Sequence, residues 1–434
     1  MGLDMIFRHS KGLQLLFMTE MWERFSFYTL RALLVLYMAG KVSEGGLGWS
    51  KSDAITVYGI YMGVAYLTPL IGGYLADRFI GQRTSTMIGA VMMAIGHFFM
   101  AFNDIFFFYA ALSLVALGNG FFKPCLTSIL GELYDDAEES QRDGAFSIFY
   151  MGINIGGAIS GFAAGWALKA YGYDLGFSIA GIGMLISLLI FWWGKDKYLG
   201  TVGLKPQVKM EDDHVKPLTA EERSRLWVVF FIFLLIVFTY IAWEQLGGLV
   251  PLFIRDSVDR TLWGLELSVP FFSSLNPIMI IFLAPVLSLL WLWLGKRGKD
   301  PFLGAKMGIG FLAMTIGFLL LGWMTSVVSQ TDGMLVGSEW IILFNFFIVI
   351  GELCITPISW AAATKLAPPS YTTRAMALML AGSGIGAYLA GVLGSYVDSL
   401  GEIVIFYVLT GGLLLMAVFC FLINGKLKQL SHEV

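Results

Sequence analysis

Residues 19–31 read TEMWERFSFYTLR, and they carry several charges inside an otherwise apolar stretch of the chain. The charged residues of this segment are Glu20, Glu23, Arg24 and Arg31. On insertion scales, each charge at the centre of a membrane helix costs about 2.5–3.5 kcal/mol. If the segment spans a membrane, these side chains must face a polar cavity and pair with one another rather than face lipid.

The composition of the whole chain indicates an integral membrane protein. Its 434 residues are 57% hydrophobic and only 14% charged, and the mean hydropathy is +0.75. A soluble domain carries about 25% charged residues. The net charge of −3 and the lack of a basic stripe argue against nucleic-acid binding. The three cysteines lie in apolar runs without metal-ligand spacing, which favours a packing role.

Twelve apolar runs are long enough to cross a bilayer, for which a helix needs about 20 residues. They are continuous, whereas a transmembrane β-barrel would show short alternating segments. The predicted spans are 12–38, 54–76, 84–102, 105–131, 144–168, 175–194, 226–250, 269–295, 304–326, 338–364, 373–397 and 402–424.

The loops predict the orientation and the domain division. Most loop lysines and arginines lie on one side, which by the positive-inside rule places both termini in the cytoplasm. The opposite loops hold Lys41, Lys51, Lys169, Arg255 and Arg260.

The longest polar stretch predicts six-helix bundles over 1–194 and 226–434, joined by a cytoplasmic linker over 195–225. In the linker, TAEERSR (219–225) is typical of a helix start. Six spans on each side of a linker suggest a two-fold pseudo-repeat, and many transporters built from such repeats bind substrate near the bilayer midplane.

The charges of the first span fall mostly on one helical face. At 100° per residue, Glu20, Arg24 and Arg31 lie within about 40° of one another. Glu20 and Arg24 form a favourable i,i+4 pair. One interpretation is a structural salt bridge. The functional alternative is a switch, in which protonation of Glu20 or Glu23 releases Arg24. Three further charges lie at similar depth in other spans: Lys123, Glu244 and Glu352.

Several motifs resemble, in order, those of the proton-dependent oligopeptide transporters of the major facilitator superfamily. EMWERFSFYTLR (20–31) resembles the family signature E-x-x-E-R-F-x-Y-Y, with Phe27 in place of its first tyrosine. The other matching stretches are GGYLADRFIGQR (72–83), GNGFFKP (118–124), FSIFYMGINIGG (146–157), WEQLGG (243–248), SLNP (274–277), GELCITP (351–357) and TKLAP (364–368). Tyr240 and Met379 stand where bacterial members often have tryptophans.

The resemblance implies an all-α membrane protein of the major facilitator fold, with twelve transmembrane helices in two six-helix bundles. The residues it implies for proton coupling are Glu20, Glu23, Arg24 and Glu244. Those it implies for substrate binding are Tyr28, Arg31, Tyr66, Lys123, Asn154, Asn276 and Glu352. It also implies an extracellular gate pair of Lys51 and Asp256. Asp77 and Arg78, at the cytoplasmic end of the second span, are either topology-setting charges or a latch.

The chemistry of these residues suits a di- or tripeptide, whose ends carry opposite charges. Arg31 and Lys123 can bind its carboxylate, and Glu352 its ammonium. The prediction is a monomeric symporter that imports di- and tripeptides with protons across the plasma membrane (the bacterial inner membrane). It has no cofactor and uses the proton gradient as its energy source. Nothing resembles a catalytic nucleophile with its base or a metal cluster, which argues against an enzyme. The alternatives are the same fold carrying nitrate, an amino acid or a drug, or a membrane receptor or channel.

Overall fold

The computed structural model describes residues 10–102, 104–135, 137–206, 218–262, 264–331, 334–368 and 371–431, most of which are helical. Its helices are α1 (Lys11–Met38), α2 (Lys51–Leu75), α3 (Gln82–Phe99), α4 (Ile105–Leu133), α5 (Glu139–Tyr171), α6 (Tyr173–Tyr198), α7 (Ala220–Trp243), α8 (Leu249–Ser257), α9 (Leu275–Lys296), α10 (Leu303–Gln330), α11 (Ser338–Leu366), α12 (Thr372–Gly394) and α13 (Val397–Leu430).

Every predicted span coincides with helical structure. Ten helical segments within the described ranges are long and apolar enough to cross a membrane. The two other predicted spans are α1 and α3. Helix α1 carries the central charges noted above, and α3 has 18 residues and begins with Gln82 and Arg83. Both helices are therefore more polar than the rest for reasons visible in the sequence.

The seventh predicted span is interrupted rather than continuous. Helix α7 ends at Trp243, a 3₁₀ turn follows at Glu244–Leu246, and α8 begins at Leu249. The predicted start of α7 is confirmed, because Thr219 and Glu222 form a capping box in which each side chain accepts the other's backbone N–H. Helix α13 contains a kink at Gly401, whose φ of 78° suits a residue without a Cβ.

The short strands lie in the segments that connect helices of the second half. β1 (Val258–Asp259) pairs in parallel with β4 (Val336–Gly337), with Val258 opposite Val336. β2 (Thr261–Leu262) pairs antiparallel with β3 (Leu265–Glu266). Each strand has only two residues, so the fold remains all-α.

The chain divides into two compact units. Unit 1 comprises Met1–Gly48 and Val64–Met210, and unit 2 comprises Trp49–Gly63 and Glu211–Val434. Helix α2 is thus divided, and its first part, through Gly63, belongs to unit 2. The predicted boundaries at 194 and 226 remain a prediction.

Glycines bring helices into close contact beside the charged residues. A Cβ added at Gly156 of α5 would lie 2.2 Å from the Met21 carbonyl oxygen of α1. A Cβ added at Gly351 of α11 would lie 2.4 Å from Cγ of Met314 in α10. Small residues at such crossings let membrane helices pack backbone to backbone. These crossings therefore hold in place the backbone next to Arg24 and next to Glu352.

Candidate functional site

The charged residues of α1 form a buried cluster centred on Arg24. Its Nη2 donates to Oε1 of Glu23 at 2.5 Å, and its Nε donates to Oε2 of the same carboxylate. The predicted Glu20–Arg24 pair is also present, with 3.4 Å between Glu20 Oε1 and Arg24 Nε. All three side chains are at most 4% exposed. The tighter, bidentate partner is the neighbouring Glu23, whereas the i,i+4 partner is the looser one.

Asn119 of α4 links this cluster to α2. Its Oδ1 accepts a hydrogen bond from Arg24 Nη2 at 3.3 Å, and its Nδ2 donates to the backbone carbonyl of Ala65 at 2.8 Å. The sequence prediction missed Asn119. The available signal was its position in GNGFFKP, four residues before Lys123, which places both side chains on one face of α4.

Lys123 and Tyr66 lie together in unit 1. The Lys123 ammonium is 5.9 Å from the centre of the Tyr66 ring. Its charge also acts on Glu20, Glu23 and Arg24. Two acids and two bases thus share one region of an apolar bundle, so that they nearly balance in charge when all are ionised.

Phe27 compensates in part for the tyrosine that the family signature has at this position. The Arg24 guanidinium lies 4.8 Å from the centre of the Phe27 ring, in a cation–π contact. The Phe27 ring also meets the Tyr28 ring edge to face, with 5.6 Å between their centres. The hydroxyl is lost, but an aromatic face for Arg24 remains.

The other predicted substrate residues of unit 1 lie on α1 and α5. Arg31, about one turn beyond Phe27 on α1, is 9% exposed. Asn154 of α5 is also buried, and its Nδ2 donates to the Tyr150 carbonyl at 3.0 Å. One of the two Nδ2 hydrogens is therefore used within α5, and the side-chain oxygen is the atom through which Asn154 could accept a hydrogen bond.

In unit 2, Glu352 of α11 receives two hydrogen bonds on one oxygen. Its Oε2 accepts from Trp243 Nε1 at 2.8 Å and from Asn276 Nδ2 at 2.9 Å. Sequence reasoning named Glu352 and Asn276 but missed Trp243. Met379 is fully buried, and the Tyr240 ring lies beside Trp243, with 5.7 Å between ring centres. The indole that meets the candidate acid therefore comes from position 243.

Glu244 occupies the break between α7 and α8. Its Oε2 accepts from the Tyr58 hydroxyl at 2.6 Å, and both residues are about 1% exposed. The next residue, Gln245, donates to the Ala390 carbonyl of α12 at 3.2 Å. Sequence reasoning missed Tyr58, because its partner is distant in the chain and the first part of α2 belongs to unit 2.

Lys51 joins two carboxylates at the start of α2. The predicted ion pair with Asp256 is present, with 2.8 Å between Nζ and Oδ2. A second carboxylate, Glu402 of α13, lies at 2.7 Å from the same Nζ, and sequence reasoning missed it. Asp256 also pairs with Arg255 at 2.7 Å. The candidate gate is a charge cluster of at least four residues.

Asp77 and Arg78 lie in a π-helical turn, Ala76–Ile80, at the end of α2. Arg78 Nη1 donates to the Tyr74 hydroxyl at 2.8 Å, and Asp77 Oδ1 accepts from Gln82 Nε2 at 3.4 Å. Nearby, the buried Arg83 donates to the carbonyls of Val202 and Gly200 at 2.6 and 2.8 Å. The latch role of Asp77 and Arg78 remains a prediction, whereas Arg83 clearly fixes the segment that follows α6.

Within the described ranges, no group of three or more His, Cys, Asp or Glu residues could hold a metal ion. Cys125, Cys354 and Cys420 are free thiols, all buried.

Long apolar helices that carry buried ionisable residues are typical of secondary transporters of the major facilitator fold. The family model described as the POT family matches residues 83–211 and 196–404. This chain belongs to that family. It is therefore a transporter and not an enzyme.

Relatives and solved structures agree with this assignment. The peptide transporter YePEPT of Yersinia enterocolitica is 33% identical, over 91% of this chain and 89% of the relative. The di-/tripeptide transporter of Lactococcus lactis is 28% identical, over 86% of each chain. The crystal structure of a mutant of the peptide transporter POT in complex with alafosfalin has a TM-score of 0.90 at 30% identity, over 97% of this chain and 96% of that one.

Either carboxylate at Lys51, that of Asp256 or that of Glu402, should serve as its ion-pair partner when the other is removed. We expect Asp256→Asn and Glu402→Gln to lower the free energy of unfolding by about 0–1 kcal/mol each, because half-exposed ion pairs contribute little. The double variant should lose more than the two single losses combined, because Lys51 then lacks both carboxylates.

Denaturant unfolding in detergent micelles measures these losses, with Glu266→Gln, on an exposed residue 3.9 Å from Arg260, as the control. Strictly additive losses would show that Glu402 does not act as a second ion-pair partner of Lys51.

Proposed function

We propose that this transporter is a proton-coupled symporter that imports di- and tripeptides by alternating access. The observation that carries the proposal is the cluster in which Arg24 is held by Glu23, Glu20 and Asn119 inside an apolar bundle. Charges at this depth in a membrane protein are by default functional, because their insertion is unfavourable. The names of the Yersinia and Lactococcus relatives support peptides as the substrate class.

Proton coupling would work through competition for Arg24. When Glu23 is ionised, it occupies the planar fork of the guanidinium in bidentate geometry. Protonation would remove that negative charge and leave Arg24 to bind another anion, including the carboxylate of a substrate. The second candidate proton site is Glu244, which lies at a helix break. A change in its charge would act on the backbone there.

Peptide binding would use the opposite charges of a peptide's two ends. Arg31 and Lys123 are proposed to bind the carboxylate, and Glu352 the ammonium. Tyr28, Tyr66, Asn154 and Asn276 would contact the main chain between the ends, where amides offer both donors and acceptors. Recognition of the ends and the backbone leaves the side chains free to vary, as import of many dipeptides requires.

We further propose the cellular setting that the loop charges favour. The protein would be a monomer in the plasma membrane, the inner membrane of a bacterium, with both termini cytoplasmic. The proton gradient would supply the energy without a cofactor. Residues 1–194 and 226–434 would act as the two moving bundles and 195–225 as their cytoplasmic linker. Lys51 with Asp256 would close the outer side, and Asp77 with Arg78 the inner side.

Removal of either acid next to Arg24 should separate transport from proton coupling. Glu20→Gln and Glu23→Gln are expected to abolish gradient-driven accumulation of a labelled dipeptide, because neither amide can bind and release the coupled proton. Peptide exchange across liposomes should continue, since exchange needs no net proton movement. Glu221→Gln, on an exposed ion pair with Arg225, is the matched control and should accumulate normally. Full accumulation by both variants would refute the coupling assignment.

Removal of the Glu352 carboxylate should weaken binding of the amino end of the substrate. Glu352→Ala is expected to weaken exchange of dialanine by roughly tenfold or more, the size of a lost hydrogen bond to a charged group. N-acetyl-dialanine has no ammonium and should be affected much less. Glu339→Ala, at the exposed start of the same helix, is the control. An equal loss for both substrates would eliminate the ammonium role, and exchange of nitrate or amino acids in their place would favour another solute.

A further inference from the structure

Trp243 is an aromatic residue that binds a proposed substrate-binding acid directly. It is the last residue of α7, immediately before the break, and its indole N–H donates to Glu352 Oε2 at 2.8 Å. Asn276 of α9 donates to the same oxygen at 2.9 Å. Two donors from two helices thus meet on one oxygen of an acid that belongs to a third helix.

This arrangement fixes the direction of the carboxylate. Free rotation of a glutamate side chain would break both hydrogen bonds at once, and an indole is a donor only, on a rigid ring. The backbone of α11 is fixed as well, because a Cβ at Gly351 would already overlap Met314. The Tyr240 ring lies against Trp243 from the preceding turn of α7, with 5.7 Å between ring centres.

We propose that Trp243 is a positioning residue for Glu352 and thereby sets the preference of the transporter for substrates with a free amino terminus. The inference rests on the proposed function, because it assumes that Glu352 binds the ammonium of a peptide. Trp243 acts through Glu352: it holds the carboxylate in one orientation, and an ammonium then meets a preorganised acceptor rather than a mobile one.

The alternative is that the hydrogen bond from Trp243 to Glu352 has only a local structural role. A partly buried indole generally finds some acceptor for its N–H, and Glu352 could be simply the nearest one. In that case loss of the N–H would affect folding or exchange of all substrates alike. The positioning role instead predicts an effect that depends on both the substrate's amino group and the presence of Glu352.

Trp243→Phe removes the N–H and keeps an aromatic ring. Exchange in liposomes without a proton gradient gives the half-saturating concentration of dialanine and of N-acetyl-dialanine. We expect the value for dialanine to rise roughly three- to tenfold, the net contribution of about one hydrogen bond, and the value for N-acetyl-dialanine to stay unchanged. In a Glu352→Ala background, Trp243→Phe should have no additional effect on either substrate.

Trp323→Phe is the matched control, because Trp323 lies on α10 in the same unit, is 43% exposed and packs on Trp340; both of its half-saturating concentrations should equal those of the wild type. Monodisperse elution in detergent verifies folding, and Trp243→Met, a smaller and flexible apolar side chain without a donor, replaces a variant that fails this check.

Three results would overturn the inference alone: an equal change for both substrates, a Trp243→Phe effect that persists in the Glu352→Ala background, or an unchanged dialanine value in a folded Trp243→Phe protein. If the wild type exchanges neither dialanine nor any other dipeptide, the proposed function fails first and the inference fails with it.

Discussion

The constraint on which the rest of this structure depends is that a guanidinium cannot remain unpaired in an apolar bundle. Arg24 meets it with the bidentate carboxylate of Glu23, a second carboxylate from Glu20, the amide oxygen of Asn119 and the face of Phe27. The close crossing at Gly156 of α5 brings a second helix against the backbone of α1 beside Arg24. Because the charges lie together in an apolar bundle, a change of charge on one member alters the electrostatic environment of the others.

In unit 2, neutral donors bind two of the acids. Glu352 is held by an indole and an amide, and Glu244 by a phenol. Trp243 and Glu244 are consecutive in the chain, at the point where α7 breaks. The proposed substrate-binding acid and a proposed proton-binding acid are therefore tied to the same short segment of backbone. A change in the charge or contacts of one acid can therefore shift the other through this short backbone segment, without a long chain of contacts.

Much of this organisation could be predicted from the sequence, because charges in apolar runs are conspicuous and helical spacing is regular. The spans, the start of α7, the Glu20–Arg24 pair and the Lys51–Asp256 pair all follow from such local rules. Asn119, Trp243, Tyr58 and Glu402 were missed. Each is a residue whose partner lies on another helix, and nothing in a linear pattern states which helices become neighbours. The break after Trp243 was missed for a different reason, because glycines at 247 and 248 are also common at ordinary packing contacts in membranes.

The most direct test of the central claim is the uptake of a labelled dipeptide into liposomes that contain only this protein, with an imposed pH gradient and no other energy source. With an acidic exterior, we expect accumulation inside above the external concentration, collapse of that accumulation when a protonophore is added, and inhibition by unlabelled dipeptides but not by nitrate. Uptake that only equilibrates across the membrane, regardless of the pH gradient, would contradict proton coupling. Inhibition by nitrate in place of peptides would contradict the substrate.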